Sequence, residues 1–360
     1  MSTKPNILID ARLYGSKHTG IGRYTKNLLI ALSHLPKFKN YNFSVLVSKQ
    51  YPELKSYKQI ITKIPHYSIQ EQLFLPSKIY NLRPDLVHFT HFNKPIFYKG
   101  LSVITIHDLI KHFFKGLNTT TKNPFQYWPT HWFYLFLTFI NIKKNYLITP
   151  SNFWRDYIIK QYKINPKKII TTHEAVDPAF LVRADRSVCP SKNYIVYTGN
   201  LYPHKNVNII VEALKYLPDL KLKIICGRDQ FFENFKELHK NNQQIEFYGY
   251  LSDNEIQKIY SKALCLVHPS LMEGFSLTGL EAMSVNCPVL SSNLSCLPEI
   301  YQDSVMYFDP HNALDLANKI KSLTPTVRKE LIAKGQKQIA KYSWSKTAQL
   351  TLDFYEKILS

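Results

Sequence analysis

The back half of the chain alternates short continuous apolar runs with amphipathic stretches, and that alternation leaves few folds open. Tyr194 to Thr198, Leu222 to Cys226, Ile245 to Tyr248, Leu264 to Val267, Val289-Leu290 and Val305 to Phe308 read as strands. Helices read between and after them: Val207 to Tyr216, Phe231 to His239, one opened by the capping box Ser252-Asp253-Asn254-Glu255, one around Glu281, and Ala313 to Leu323. Strands that are apolar at every position, not at every second one, are buried on both faces. Only a parallel sheet with helices on both sides meets that demand.

The front half carries the same pattern less sharply. Strands are expected at Asn6 to Asp10, Phe43 to Val47, Leu86 to Phe89, Val103 to Ile106 and Tyr146 to Thr149. Tyr24 to Leu32 reads as a helix with Leu28, Leu29 and Leu32 on one face, and Ser151 as the N-cap of a helix through Tyr162. Residues 181–193 are polar, aperiodic and contain Pro190, so they read as a linker between an N-terminal domain, 1–180, and a C-terminal domain, 194–343. A length of 360 residues suits two such domains. The fold class is therefore α/β, with two doubly wound Rossmann-like domains facing each other across a cleft. Ligands of such sheets bind beyond the carboxyl ends of the strands.

Composition removes several alternatives. Aromatics make up 14% of the chain, too much burial potential for a disordered segment. Five cysteines, odd in number and without a C-x-x-C pair, point to a reducing compartment and no structural metal. The apolar run Ile7-Leu8-Ile9 is cut by Asp10, far short of a signal-peptide core of roughly 7–15 residues, so a cytoplasmic protein is expected. Trp132 to Ile140 is apolar over nine residues, where a spanning helix needs roughly 20. It reads as a buried core helix. Its aromatics followed by Lys143 and Lys144 also fit a helix lying in a membrane interface.

A net charge of +20 draws the chain toward polyanions. The basic residues are spread, and no helix-turn-helix, zinc-finger or RNP-type motif accompanies them, so nucleic acid is not an expected partner. A peripheral attraction to the anionic inner face of the cell membrane remains.

The most informative segment runs His268-Pro269-Ser270-Leu271-Met272-Glu273-Gly274-Phe275-Ser276-Leu277-Thr278-Gly279-Leu280-Glu281-Ala282-Met283. It follows a buried strand and leads into a helix expected to begin near Leu277. Glu273 then sits in the loop and Glu281 on the helix, both able to reach a ligand over the helix N-terminus. Carboxylates accept the hydroxyls of a vicinal diol, and a helix N-terminus suits phosphate. Gly20-Ile21-Gly22 would let a loop approach a ligand closely, although the third glycine of a dinucleotide motif is missing.

This segment, with Tyr197-Thr198-Gly199-Asn200, Pro203-His204-Lys205-Asn206, Ile225-Cys226-Gly227, Gly249-Tyr250-Leu251 and Pro288-Val289-Leu290, resembles the retaining glycosyltransferases of family 4, which have the GT-B fold. Thr19 to Tyr24, His88, Ile106-His107-Asp108-Leu109 and the helix after Tyr342-Ser343-Trp344, which in the family crosses back onto the first domain (here 344–360), extend the resemblance over the whole chain.

The resemblance implies that Glu273 contacts the donor sugar, Glu281 the nucleotide ribose, Lys205 the diphosphate, and the backbone of Gly274, Phe275, Ser276 and Leu277 the diphosphate or sugar. Gly20 and Gly22 would line the donor, and Tyr250 and Leu251 would meet the base, unless Gly249-Tyr250-Leu251 is a plain strand-end turn. Many members carry Arg where this chain has Asn200; Arg228 either restores that charge or is a solvated loop residue. His107 would hydrogen-bond the donor near the reacting carbon, with Asp108 in support. His88, His91 and Asn93 are acceptor-side candidates, and Glu71-Gln72 resemble a recurring segment without an assigned role.

The implied activity is transfer of a hexose, with retention, to a glycan or lipid-linked glycan in surface polysaccharide or lipopolysaccharide synthesis. Bacterial mannosyltransferases are the nearest resemblance, so GDP-mannose is the expected donor. A UDP- or dTDP-sugar donor, or an inactive sugar-nucleotide-binding scaffold, are the alternatives. The catalytic set would be His107, Glu273 and Lys205, with no metal or other cofactor.

Overall fold

The computed structural model describes residues 4–15, 19–181, 193–227 and 229–360. The chain divides into two compact units. The first comprises residues 1–109, 124–174 and 343–360, and the second 110–123 and 175–342. The first unit is thus discontinuous: the sequence suggested residues 1–180 with the helix 344–360 packing back on them, whereas 110–123 and 175–180 group with the second unit. Of the linker, residues 182–192 lie outside the described residues.

The first unit is built on seven parallel strands: β1 (Asn6–Asp10), β2 (Asn42–Val47), β3 (Lys58–Ile61), β4 (Leu86–Phe89), β5 (Ser102–Thr105), β6 (Tyr146–Thr149) and β7 (Ile169–Thr171). Their order is β3-β2-β1-β4-β5-β6-β7, so the chain reverses direction across the sheet between β1 and β4. The second unit repeats the plan with β8 (Tyr194–Thr198), β9 (Lys221–Ile225), β10 (Ile245–Tyr248), β11 (Leu266–His268), β12 (Val289–Ser292) and β13 (Met306–Phe308), in the order β10-β9-β8-β11-β12-β13. Its reversal falls between β8 and β11. Such reversals open a crevice at the carboxyl edge of the sheet, because the crossovers on either side cover opposite faces.

The apolar runs became these strands because every side chain in them is covered. Ile7, Leu8, Ile9, Val45, Leu46 and Val47 are fully buried in the first unit, as are Ile195, Leu222, Ile224 and Leu290 in the second. At roughly 1.5–3 kcal/mol for each large apolar side chain, these positions fix the register firmly. The edge strands β3 and β7 escaped the sequence reading because they are only partly buried and lack a long apolar run. The capping box at Ser252 and Glu255 opens the helix Asp253–Lys262 as expected, with both reciprocal bonds formed.

The terminal helix Trp344–Leu359 belongs to the first unit. Trp344 meets Tyr24 edge-on at 6.0 Å, and Lys37 pairs with Glu356 at 2.9 Å.

Two expectations are corrected. Gly20 and Gly22 do not form a loop; they lie in the first turn of the helix Thr19–Ser33. A Cβ on Gly22 would fall 1.9 Å from the Gly15 carbonyl oxygen, so its small size serves packing, whereas a Cβ on Gly20 meets nothing. The stretch Trp132 to Ile140 is helical, inside Pro124–Lys144, but it is not a core helix. Leu137 and Thr138 face inward while Trp132 is 64% exposed and Phe136 55%. The apolar residues continue around the helix beyond its buried side. Among the described residues, no helix is long and apolar enough to cross a membrane.

Candidate active site

In the second unit the carboxyl ends of β8 and β11, the strands on either side of the reversal, bring together residues far apart in sequence. After β8 the chain makes the turn Pro203–Lys205, which Asn206 closes in the left-handed region at φ 54°. After β11 comes the loop to the helix Leu277–Ser284. The two loops are tied by the Leu271 amide donating to the His204 carbonyl at 2.8 Å.

Lys205 Nζ donates to Glu273 Oε1 at 2.6 Å, and His268 Nε2 lies 2.9 Å from the same oxygen. Glu273 is buried, with its side chain 10% exposed, and Lys205 is 18% exposed. Burial alone would raise the Glu273 pKa; the Lys205 charge and the His268 hydrogen bond outweigh it and hold the carboxyl below its usual range. The backbone of Glu273 is fixed as well, by reciprocal bonds with the Ser295 hydroxyl at 3.2 and 3.1 Å.

His268 is held from its other side. Its Nδ1 lies 2.9 Å from the Tyr301 hydroxyl and 3.0 Å from the Ser276 hydroxyl. Tyr301, fully buried and with its pKa driven well up by desolvation, also receives the Gly279 amide at 3.2 Å. Gly279 is required there, since a Cβ would sit 2.2 Å from that hydroxyl. Ser276 occupies the N-cap position with φ 84°, a strained conformation for a residue with a side chain, and it makes no capping hydrogen bond. Of the first-turn amides, that of Gly279 is taken by the Tyr301 hydroxyl and none by the Ser276 side chain, so the amides of Leu277 and Thr278 keep no side-chain cap, an arrangement that accepts an anion.

The expected residues fall around this centre as follows. Glu273, Lys205, Gly274, Ser276 and Leu277 are adjacent to it in the two loops. Phe275 is buried and packs edge-on against Tyr342 at 5.5 Å, so only its backbone can meet a ligand. Glu281 is buried on the helix. Asn200 follows β8, and its Oδ1 is buried without a hydrogen-bond partner, as are Thr198 Oγ1 and Ser270 Oγ at the ends of β8 and β11. Native proteins rarely leave such atoms unpaired, and three of them at one strand edge mark a place where a polar ligand belongs. Tyr250 is 80% exposed beyond the end of β10, and Leu251 is half-buried. That end lies two strand spacings from β8, roughly 10 Å. Arg228 lies outside the described residues.

In the first unit, His107 follows β5. Its Nε2 lies 3.0 Å from the Thr90 carbonyl and its Nδ1 3.3 Å from Glu174. Tyr24 packs edge-on against the ring at 4.7 Å, and His91 stacks on it at 6.3 Å. Asp108 is half-buried beside this group. His88 is corrected: it is fully buried, bonded to the Tyr355 hydroxyl and to Thr105 at 2.8 Å, and desolvation takes its pKa down to about 3. Its place in the middle of β4's covered face makes it a neutral core residue that no acceptor touches. Asn93 likewise is buried and donates to Glu71.

Sequence reasoning missed three residues. His268 had a signal, a histidine closing a strand five residues before Glu273. Tyr301 and Glu174 had none, because the contacts that give them their place join distant segments. Among the described residues, no group of three or more His, Cys, Asp or Glu is placed to hold a metal ion.

Residues 19–180 match the family model described as Glycosyltransferase Family 4, and residues 183–338 that described as Glycosyl transferases group 1. The O-antigen chain mannosyltransferase RfbU of Salmonella typhimurium is 23% identical over 96% of this chain and 98% of its own length. The O-antigen chain mannosyltransferase B of Escherichia coli is 28% identical over 58% of this chain and 60% of its own. A glycosyltransferase from Rickettsia africae superposes with a TM-score of 0.70 over 99% of both chains at 17% identity. Two glycosyltransferase models in succession, on two Rossmann-like sheets, lead to one conclusion: the chain belongs to the family 4 glycosyltransferases of GT-B fold.

Proposed function

We propose that the protein transfers mannose from GDP-mannose, with retention, to a glycan or lipid-linked glycan of a surface polysaccharide. The observation that carries the proposal is the Lys205–Glu273–His268 cluster at the β8/β11 reversal, beside a helix N-terminus that the Ser276 side chain does not cap. Lys205 and the helix amides would take the charge of the departing diphosphate, which is where most transition-state stabilisation is needed. Glu273, kept ionised by its partners, would accept hydroxyls of the sugar and hold it in one orientation. Glu281 would bind the ribose, Asn200 would give its unpaired oxygen to the donor, and Tyr250 would pack on the base. Mannose is supported by the two O-antigen mannosyltransferases among the relatives.

His107 is proposed as a further catalytic residue, its ring oriented by Glu174 and the Thr90 carbonyl. In this reading the leaving phosphate deprotonates the acceptor, and no metal is needed because Lys205 and backbone amides supply the positive charge. A cytoplasmic setting is supported by the four described cysteines, all unpaired and buried.

The test is turnover and thermal shift of the purified protein with GDP-mannose, GDP-fucose, UDP-glucose, UDP-N-acetylglucosamine and dTDP-rhamnose, in EDTA. Nucleotide release with GDP-mannose alone is expected. Release only with another donor would overturn the sugar assignment, and a requirement for added divalent metal would overturn the charge argument.

A further inference from the structure

Two features of the first unit take no part in the chemistry above: a stripe along the helix Pro124–Lys144, and a cavity that the carboxyl end of this helix lines together with residues 94–102. Phe125, Trp128, Trp132, Phe136 and Phe139 recur at spacings of three and four, so at about 100° per residue they form a single stripe. Their exposures are 90, 39, 64, 55 and 50%. The helix contains no Asp or Glu and ends in Lys143 and Lys144. A row of five exposed aromatics is costly in water and is the composition that settles at a bilayer interface.

At the carboxyl end of the same helix lies a cavity of about 230 Å³, lined by Lys94, Lys99 and Lys144 together with Ser102, Asn141 and Asn145. It is several times the ~30 Å³ that one water occupies. None of its lining residues is acidic. Lys94 is 6% exposed and its ammonium donates to the Tyr98 carbonyl at 2.6 Å. Burial first, then the neighbouring Lys99 and Lys144, bring its pKa down to about 8. Three ammonium groups on one cavity without a carboxylate repel one another, and an anion entering the cavity would remove that repulsion. The Ser102 hydroxyl and the Asn141 side-chain amide already donate to backbone carbonyls, so the attraction for an anion rests on the ammonium groups.

We propose that the cavity ringed by Lys94, Lys99 and Lys144 binds the phosphate group of a membrane lipid, while the aromatic stripe of the same helix lies in the bilayer interface. A soluble phosphate would account for the lysines but not for the stripe; a lipid accounts for both. The inference does not depend on the donor, since vesicle binding needs no sugar nucleotide.

The experiment is co-sedimentation of the full chain with vesicles of phosphatidylcholine, of phosphatidylcholine with phosphatidylglycerol, and of phosphatidylcholine with phosphatidic acid. Tightest binding to phosphatidic acid is expected. At about 1 kcal/mol per lysine, Lys99→Gln and Lys144→Gln should each weaken it by about fivefold. Both side chains are exposed, so neither change threatens the fold, as Lys94→Gln would. Trp132→Ser with Phe136→Ser should abolish sedimentation with every vesicle at an unchanged melting temperature. Wild-type affinity in the lysine variants, or in the stripe variant, would overturn the proposal. So would binding of inorganic diphosphate at these lysines, by calorimetry, without any sedimentation: that result would assign the cavity to a soluble phosphate.

Discussion

The two units carry buried charge networks at the same topological place, beyond the strands where the sheet order reverses, yet the networks differ in kind. In the first unit Arg12 donates to Asp10 through Nε at 2.8 Å and Nη2 at 2.6 Å, and to Glu71 at 2.6 Å. Glu71 also receives the Tyr67 amide at 2.8 Å and the Asn93 side chain. All three charged side chains are at most 6% exposed. In the second unit the Lys205–Glu273 pair is less enclosed, and unpaired oxygens of Thr198, Asn200 and Ser270 lie at or just beyond the ends of the same two strands, β8 and β11. Apart from the His66 ring, 3.3 Å from Glu71 and without a hydrogen-bond partner, the donors and acceptors of the first network are spent on each other, and such a network holds loops together. One bordered by unspent groups is ready for a ligand. The first explains the Glu71-Gln72 segment, for which the sequence suggested no role.

The sharpest way to break this contrast is Glu273→Ala. Transfer should fall by about 10²–10³-fold or more, as when a positioned electrostatic group is removed from other enzymes. Unchanged turnover would remove the second network from the chemistry. Arg12→Met should do the reverse: leaving two carboxylates buried without their partner costs about 3–5 kcal/mol in chemical denaturation. Turnover per folded molecule should persist, and a loss of kcat without a loss of stability would contradict the structural role.

Acid sharpens the comparison further. The Glu273 pKa is lower in the folded protein, so the stabilisation it gives is present above its unfolded value of about 4.3 and is lost as pH falls below it. The stability gap between wild type and Glu273→Gln should therefore be largest near neutrality and shrink below about pH 4. A gap independent of pH would deny the ion pair. The smallest effect is expected for Asn200→Ala. Removing an unpaired buried oxygen should leave the melting temperature unchanged or slightly raised, while donor affinity falls by about tenfold, the equivalent of one lost hydrogen bond. A marked loss of stability would show that the oxygen is paired within the protein.

Much of the site was legible in sequence because its residues come in local runs. Glu273, Gly274 and Ser276 share one strand-to-helix loop, and Lys205 ends the turn Pro203–Lys205 in the segment that follows β8. The expectations that failed are those in which a side chain's direction mattered. His88 lies within β4 and is fully buried, whereas His107 follows β5 and keeps its side chain 13% exposed. The glycines at 20 and 22 read as a loop because glycine is a poor helix former, yet they lie in the first turn of a helix.

The alternation of apolar strands and amphipathic helices was determined by the sequence alone, because hydrophobic periodicity is a local property and a parallel sheet is the one way to bury such strands on both faces. Which carboxylates were spent and which stayed available was decided only by the tertiary structure. Pairing Arg12 with Glu71, or Tyr301 with His268, needs residues 59 and 33 positions apart to meet, and no local pattern encodes that meeting.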